Sequence, residues 1–304
     1  MTPALSERVG CDLCECKNFD FWFTIDSTRF YNSESKIRET YTIVQCTNCK
    51  LVFVREIPSE SELKDVYADG YYTGRDSIGY QTYAAPTRLD DALTWFSTLP
   101  PRITRTLKSP TRLINVITRV VLRQNERSWP YNLVDTVSKY SNIGKILDIG
   151  CATGIFLLAS RQSGWETQGI EFSEYASRIA RNQNLNVCTG DTRQALNSGK
   201  IKEKDFDVVT LWDTAEHLVD PLHVFVDAYK FLKPGGVLFV QTLNIDGDKA
   251  RNEGQNWHFF RPPKHLFYYS ERTLKAYFER AGFDLIKDDD FSKDVVTLGG
   301  RRPH

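Results

Sequence analysis

From residue 146 onward, short apolar runs alternate with segments whose apolar positions recur at helical spacing. The pattern predicts strand 146–150, helix 154–163, strand 167–172, helix 173–183, strand 187–190, strand 206–212, helix 220–232, strand 236–242, helix 270–281 and a strand from about 283. Alternating strands and helices imply a mainly parallel sheet in an α/β fold. Such sheets bind ligands beyond the strand C-termini, where strand order reverses. Asp148, Glu171, Asp191 and Trp212 all fall at those ends. The last strands, Phe283-Asp-Leu-Ile-Lys and Val295-Val-Thr-Leu, flank a short acidic turn close to His304, so the final strand is expected to be abbreviated.

The first 60 residues carry a different pattern. Phe19-Asp-Phe-Trp-Phe and Tyr41-Thr-Ile-Val-Gln read as strands. Leu51-Val-Phe-Val-Arg reads as a third, stopped near Pro58 and followed by a helix with an acidic first turn. Within the stretch from about 86 to 135, residues 102–127 are basic: Arg102, Arg105, Lys108, Arg112, Arg119, Arg123 and Arg127 stand against one acid, Glu126. Leu113, Ile114, Val116, Ile117, Val120 and Val121 fall near helical spacing, which predicts a basic amphipathic helix, read as a packing helix with a solvated basic face in preference to one that caps the active site, touches anionic lipid or grips a phosphorylated substrate. Three units follow: a metal-binding module over 1–60, a helical, partly basic connector over 61–135, and an α/β domain over 136–304.

The stretch Ile146-Leu-Asp-Ile-Gly-Cys-Ala-Thr-Gly-Ile155 joins the first strand to its helix. Gly150 and Gly154 allow a sharp turn and close approach of a ligand, and the helix N-terminus offers unpaired N–H groups. Glu171 ends the next strand about 20 residues on, where a carboxylate accepts both ribose hydroxyls. A nicotinamide site would show Gly-x-Gly-x-x-Gly, but Ala152 interrupts the turn and the third glycine is missing. A nucleoside-like cofactor without a diphosphate fits better.

With Asp148, Gly150 and Gly154 the chain resembles the class I S-adenosylmethionine-dependent methyltransferases, departing at Ala152, where glycine is commoner. Gly190-Asp191, the block from Phe206 to Pro221, and Leu232-Lys-Pro-Gly-Gly-Val-Leu-Phe-Val-Gln-Thr242 extend the resemblance in order over about 140–290. It implies a Rossmann-like, mostly parallel sheet with an antiparallel last strand. It also implies that Asp148, Gly150 and Gly154 shape the methionine end of the cofactor site, that Glu171 holds the ribose, that Phe172 flanks the adenine and that Asp191 reaches its amino group. Asp191 has a competing role as a turn former. Cys151, within the turn, and Trp212, at the fourth strand end, join the cofactor-lining positions, although Cys151 and Cys188 also look like core residues.

Two Cys-x-x-Cys pairs, Cys11/Cys14 and Cys46/Cys49, have the ligand chemistry of a closed tetrahedral zinc site. Redox dithiols, an iron site and unligated thiols are the alternatives, and structural zinc is favoured over them. Cys16 is a competing ligand, read as free. With the strands after it, this zinc-ribbon-like block resembles the zinc-binding region that precedes the catalytic domain in one bacterial methyltransferase group acting on sugars and other small metabolites.

Methyl transfer to a hydroxyl calls for a base, and a neutral histidine suits that task. His217, in Thr-Ala-Glu-His-Leu, resembles the Glu-His pattern of O-methyltransferases of the ubiquinone-biosynthesis type and is the first candidate. His265 is the second, and Glu216 is a third acid or base that could also orient His217. Asn256-Trp-His-Phe-Phe260 and Phe267-Tyr-Tyr269 suggest a partial aromatic lid over the acceptor.

Composition narrows the function. The 304 residues carry no net formal charge, no apolar run reaches the ~20 residues of a membrane helix, and the N-terminus lacks a signal-peptide pattern, so cytoplasm is the default. Neutral charge without an RNA-binding motif argues against nucleic acid. The expected activity is S-adenosylmethionine-dependent methylation of a small molecule, at a hydroxyl of a sugar, glycan precursor or secondary metabolite. A non-catalytic cofactor-binding scaffold and methylation of RNA or protein are the alternatives.

Overall fold

The computed structural model describes residues 6–31, 37–67, 129–286 and 294–304. The basic stretch 102–127, and with it most of the expected connector, lies outside them.

The strands expected after residue 145 form a seven-stranded sheet. In chain order these are β4 (Lys145–Ile149), β5 (Glu166–Glu171), β6 (Asn186–Thr189), β7 (Phe206–Trp212), β8 (Leu232–Leu243), β10 (Asp284–Ile286) and β11 (Val295–Arg301), and their spatial order is β10-β11-β8-β7-β4-β5-β6. Five strands are parallel; β11 runs antiparallel between β8 and β10. Both neighbours of β4 are parallel to it, and the order runs outward to β5 on one side and β7 on the other. That reversal opens a crevice at the strand C-termini. Ile146, Leu147 and Asp148 are buried, as a strand covered on both faces requires.

The last strand is not abbreviated: β11 has seven residues and pairs along β8 from Val295 to Arg301. Arg302 and Arg301 anchor its end by donating to the Leu232 carbonyl (2.6 Å) and the Gly235 carbonyl (2.6 Å). Side-chain hydrogen bonds to the start of β8 thus accompany pairing that extends beyond the apolar Val-Val-Thr-Leu that marked the strand in the sequence.

Helix boundaries follow from caps. Ser173 caps Glu174–Asn182, Asp220 caps Pro221–Phe231 with Pro221 in the first turn, and Ser270 caps Glu271–Arg280 in a capping box with Thr273.

A second sheet, in the order β1-β2-β3-β9, combines β1 (Phe19–Asp26), β2 (Thr40–Cys46) and β3 (Val52–Val54) with β9 (Phe267–Tyr268), which comes from the long connection after β8. The expected strands between the cysteine pairs are β1 and β2, joined antiparallel, and Ser59 starts the helix Glu60–Val66. Tyr41, Phe53, Phe225 and Tyr277 belong to one core shared by both sheets. The partial lid is therefore overturned: Trp257, Phe260, Phe267, Tyr268 and Tyr269 are all at most 3% exposed. Pairing of β9 with β3 draws these rings inward, and only Phe259 of the group lines the cleft.

Candidate active site

A cleft of about 1210 Å³ opens at the C-terminal ends of β4, β5 and β7. Every cofactor-site residue expected from the sequence except Gly154 lines it: Asp148, Gly150, Cys151, Glu171, Phe172, Asp191 and Trp212. Glu216, His217 and His265 line it too.

The cofactor end is built by backbone. Gly150 and Gly154 have φ of +77° and +86°, and added β-carbons would lie 2.5 Å from the Thr214 side chain and 2.3 Å from Leu185 Cδ1. Both glycines thus allow the chain to pack closely on itself, and Gly150 also lines the cleft. Ala152 also takes a left-handed φ, +47°, which lets its N–H donate to Glu171 Oε2 (2.8 Å). Ser173 N–H donates to the other oxygen (2.8 Å). Glu171 is thereby oriented at the cleft, and a carboxylate so held has the acceptor geometry for vicinal hydroxyls.

Asp148 is buried and accepts from Thr210 Oγ1 (2.7 Å); burial pushes its carboxyl up to about 8 against that hydrogen bond. The Asp191 Oδ1 accepts from Gln194 N–H (2.7 Å) as the N-cap of Thr192–Asn197, so the turn-forming role is realised while the residue still lines the cleft. Cys151 is both core and wall: it packs against Gly169, and burial raises its thiol pKa.

Two features leave hydrogen-bond donors at this end without a protein partner among the described residues. The helix Ile155–Gln162 begins at Gly154 without a side-chain cap, which leaves its N–H groups to other partners. Trp212, stacked on Phe239 and edge-on to Phe156, has a buried Nε1 donor without a hydrogen-bond partner among the described residues. A ligand acceptor atom would satisfy it.

The other end holds an acid–base cluster. His217 Nδ1–H donates to the Lys264 carbonyl (2.8 Å), with the Tyr67 hydroxyl 3.1 Å from the same nitrogen; because a carbonyl can only accept, this bond assigns a ring proton to Nδ1. Likewise, His265 Nδ1–H donates to the Phe259 carbonyl (2.7 Å), and the two imidazole rings lie 4.8 Å apart, edge to face. Glu216 is 2% exposed and accepts from Thr242 Oγ1 (2.7 Å).

Donor atoms of Glu216, His217 and His265 lie within 4.8 Å of one another, so the trio could pass a proton or hold a divalent cation. Burial, then the neighbouring Asp213, pushes Glu216 up to about 8. Burial, then Lys264, pushes His217 down to about 3, and His265 is lowered by burial and by His217. Lys264 itself is lowered to about 8 by burial and by Arg261. Both imidazoles are thus neutral near pH 7.

Sequence reasoning missed Tyr67, Thr210, Thr214 and Lys264. Lys264 was signalled only by adjacency to His265; Tyr67 ends a helix far away in sequence.

The strand order is that of the class I methyltransferase sheet, and comparison agrees. The methyltransferase-domain family matches residues 107–288, more than half of the chain. The protein belongs to this family. Curated relatives of this methyltransferase domain include the ubiquinone biosynthesis O-methyltransferase of Pseudomonas aeruginosa, 34% identical over 103 residues, 33% of this chain and 44% of that protein. The enzyme of the same name from Haemophilus ducreyi is 34% identical over 121 residues, 38% of this chain and 51% of the relative. The match thus spans about half the length of these relatives. Among solved structures, an S-adenosylmethionine-dependent methyltransferase from Archaeoglobus fulgidus is 20% identical, covering 58% of this chain and 94% of that chain with a TM-score of 0.48.

Away from the cleft, Cys11, Cys14, Cys46 and Cys49 bring four Sγ atoms within 4.8 Å of one another. The pairs Cys11–Cys49 and Cys14–Cys46 are 3.5 Å apart, too long for disulfides and close to the roughly 3.8 Å edge of a tetrahedron with ~2.3 Å Zn–S bonds. The donor set fits zinc. Cys16 Sγ instead lies 3.6 Å from Thr47 Oγ1 and from the Asn18 carbonyl. Cys188 packs in the core.

Proposed function

We propose that the protein methylates a hydroxyl of a small molecule, a sugar, glycan precursor or secondary metabolite, using S-adenosylmethionine. The convergence of Asp148, Glu171, Asp191 and Trp212 with the Glu216–His217–His265 cluster in one cleft carries this reading. The relatives' naming as O-methyltransferases supports oxygen as the acceptor atom.

Bound S-adenosylmethionine would supply an electrophilic methyl group on a sulfonium leaving group. Glu171 would accept the ribose hydroxyls, Asp148, Gly150, Cys151 and Gly154 would wall the methionine end, Phe172 and Asp191 would flank the adenine, and Trp212 Nε1 would donate to the ligand. His217 Nε2, fixed as the lone-pair nitrogen by the Lys264 carbonyl, would take the acceptor proton as its oxygen attacks. Ionised Glu216 would stabilise the resulting imidazolium, and His265 would hold the acceptor. Zinc on the four cysteines would be structural, because a closed thiolate site leaves no open position.

Calorimetric titration with S-adenosylmethionine, S-adenosylhomocysteine and, as a control, NAD tests the cofactor assignment. Micromolar binding of the first two, lost in Glu171→Ala, supports it; preference for NAD, or no binding, sinks it. A hydroxyl-acceptor screen then tests the chemistry, and cofactor binding without turnover on any acceptor favours the scaffold reading.

A further inference from the structure

We propose that the cysteine module braces the acceptor half of the cleft, with Asp12 and Arg8 as positioning residues for the two histidine-bearing loops. The catalytic part of this inference rests on the methyltransferase reading; the mechanical part does not.

Asp12 lies between the tetrad members Cys11 and Cys14, on a turn closed by the Cys11 N–H to Cys16 carbonyl bond (2.8 Å). Its Oδ2 accepts from Leu222 N–H (3.1 Å) in the first turn of Pro221–Phe231, the helix that follows His217. The same oxygen accepts from the Tyr277 hydroxyl (2.7 Å). One knuckle carboxylate therefore ties the end of the His217 loop to the helix Glu271–Arg280.

Arg8 makes a second tie. Its Nη2 donates to the Val219 carbonyl (2.9 Å), two residues beyond His217, and its Nε donates to the Val54 carbonyl (3.3 Å). The guanidinium covers the Phe267 ring at 4.6 Å. The third tie is backbone: Val54 N–H donates to the Leu266 carbonyl (2.8 Å), and Leu266 N–H donates to the Glu216 carbonyl (2.7 Å). Leu266 follows His265, so β3 reaches both histidine loops through one residue. Arg272 adds a bond from its Nη2 to the Cys49 carbonyl (2.9 Å).

These contacts give the module a role that a detached ribbon would lack. A metal that fixes the Cys11–Cys14 turn fixes Asp12, and Asp12 fixes the loop that presents His217. Positioning of this kind matters to transfer, since displacement by about 1 Å can cost on the order of 10²-fold in rate. The cofactor end is set instead by β4 and β5, through the Ala152 and Ser173 bonds to Glu171.

Hydrogen–deuterium exchange on the cofactor-free, zinc-loaded full chain tests this, compared with chelated protein, Asp12→Ala and Asp12→Asn. Chelation and Asp12→Ala are expected to speed exchange over 213–222 and 264–269 by roughly tenfold, as loss of one or two tying hydrogen bonds implies. Exchange over 146–171 and the Kd for S-adenosylhomocysteine should stay within about threefold of the zinc-loaded protein. Asp12→Asn should restore slow exchange, because an amide oxygen can accept the same two bonds. Unchanged exchange over 213–222 after verified metal loss overturns the proposal. So does faster exchange spread equally over 146–171, or an Asn variant that behaves like Ala. Absence of S-adenosylhomocysteine binding in the zinc-loaded chain would defeat the methyltransferase reading while leaving the exchange comparison intact.

Discussion

The two ends of the cleft are built in opposite ways. The end read as the cofactor site is assembled mostly from neighbours in sequence: β4, the turn to Gly154, and β5 bring Asp148 and Glu171 together, backbone N–H groups orient Glu171, and Thr210 of β7 adds one side-chain bond to Asp148. At the acceptor end, a turn after β7, a connection after β8 and a module from the first 60 residues meet around His217 and His265. A site for a common cofactor can be encoded locally; a site for a particular acceptor draws on distant segments, which is where specificity can change without disturbing the sheet.

The largest expected effect lies at the acceptor end. His217→Ala should lower turnover by about 10²–10⁴-fold, the usual contribution of a positioned base, while leaving the Kd for S-adenosylmethionine nearly unchanged. Steady-state rates paired with calorimetry check this. A variant that loses cofactor affinity as well would merge the two ends that the structure separates.

Glu171→Ala is the complementary break. Removing the carboxylate would leave the ribose hydroxyls without their acceptor, a loss of about 2–3 kcal/mol, or roughly 30–150-fold in Kd. With saturating cofactor, kcat should recover most of its value. A fall in kcat alone would contradict the assignment of Glu171 to the ribose.

How much of this was legible in the sequence divides along the same line. Gly150, Gly154 and Glu171 were readable because a turn between adjacent strands needs particular residues at fixed spacing. The cysteine tetrad was readable because Cys-x-x-Cys is a ligand spacing in itself. By contrast, β9 could not be foreseen: Phe267-Tyr268 is two residues long, and its partner Val52-Phe53 is over 200 positions away. The aromatic run from Asn256 to Tyr269 therefore suggested a lid, where burial against β3 makes it core. Likewise, Thr210 beneath Asp148 and Tyr67 beside His217 carry no pattern that separates them from ordinary strand and helix positions.

The pH response should separate the ends further. Glu216 has a folded-state pKa of about 8, above its ordinary value, so ionisation that supports imidazolium formation is gained as pH rises through 8. Acceptor turnover should accordingly climb between about pH 7 and 8.5, a limb that Glu216→Gln removes. Stability should move the other way. Asp148 and Glu216 both have raised pKa values, so they favour the folded state at low pH, and that stabilisation is lost as pH rises from the ordinary carboxylate range through about 8. Melting temperature of the cofactor-free protein across that window checks the sign.

The smallest effect probes how far the cofactor end is a matter of backbone. Ala152 holds φ at +47°, a region costing an L-residue about 1–2 kcal/mol that glycine escapes. Ala152→Gly relieves that strain but loosens the unfolded chain by roughly 0.4–1 kcal/mol, so the net expectation is a gain near 0.5 kcal/mol, read as a higher urea midpoint. The bond from residue 152 N–H to Glu171 needs no side chain, and cofactor affinity should change by less than about twofold. A stabler protein with unchanged affinity would mean that the main chain alone sets this end of the cleft. A loss of affinity would show that the alanine methyl helps aim Glu171, and would move the cofactor end closer in kind to the side-chain-built acceptor end.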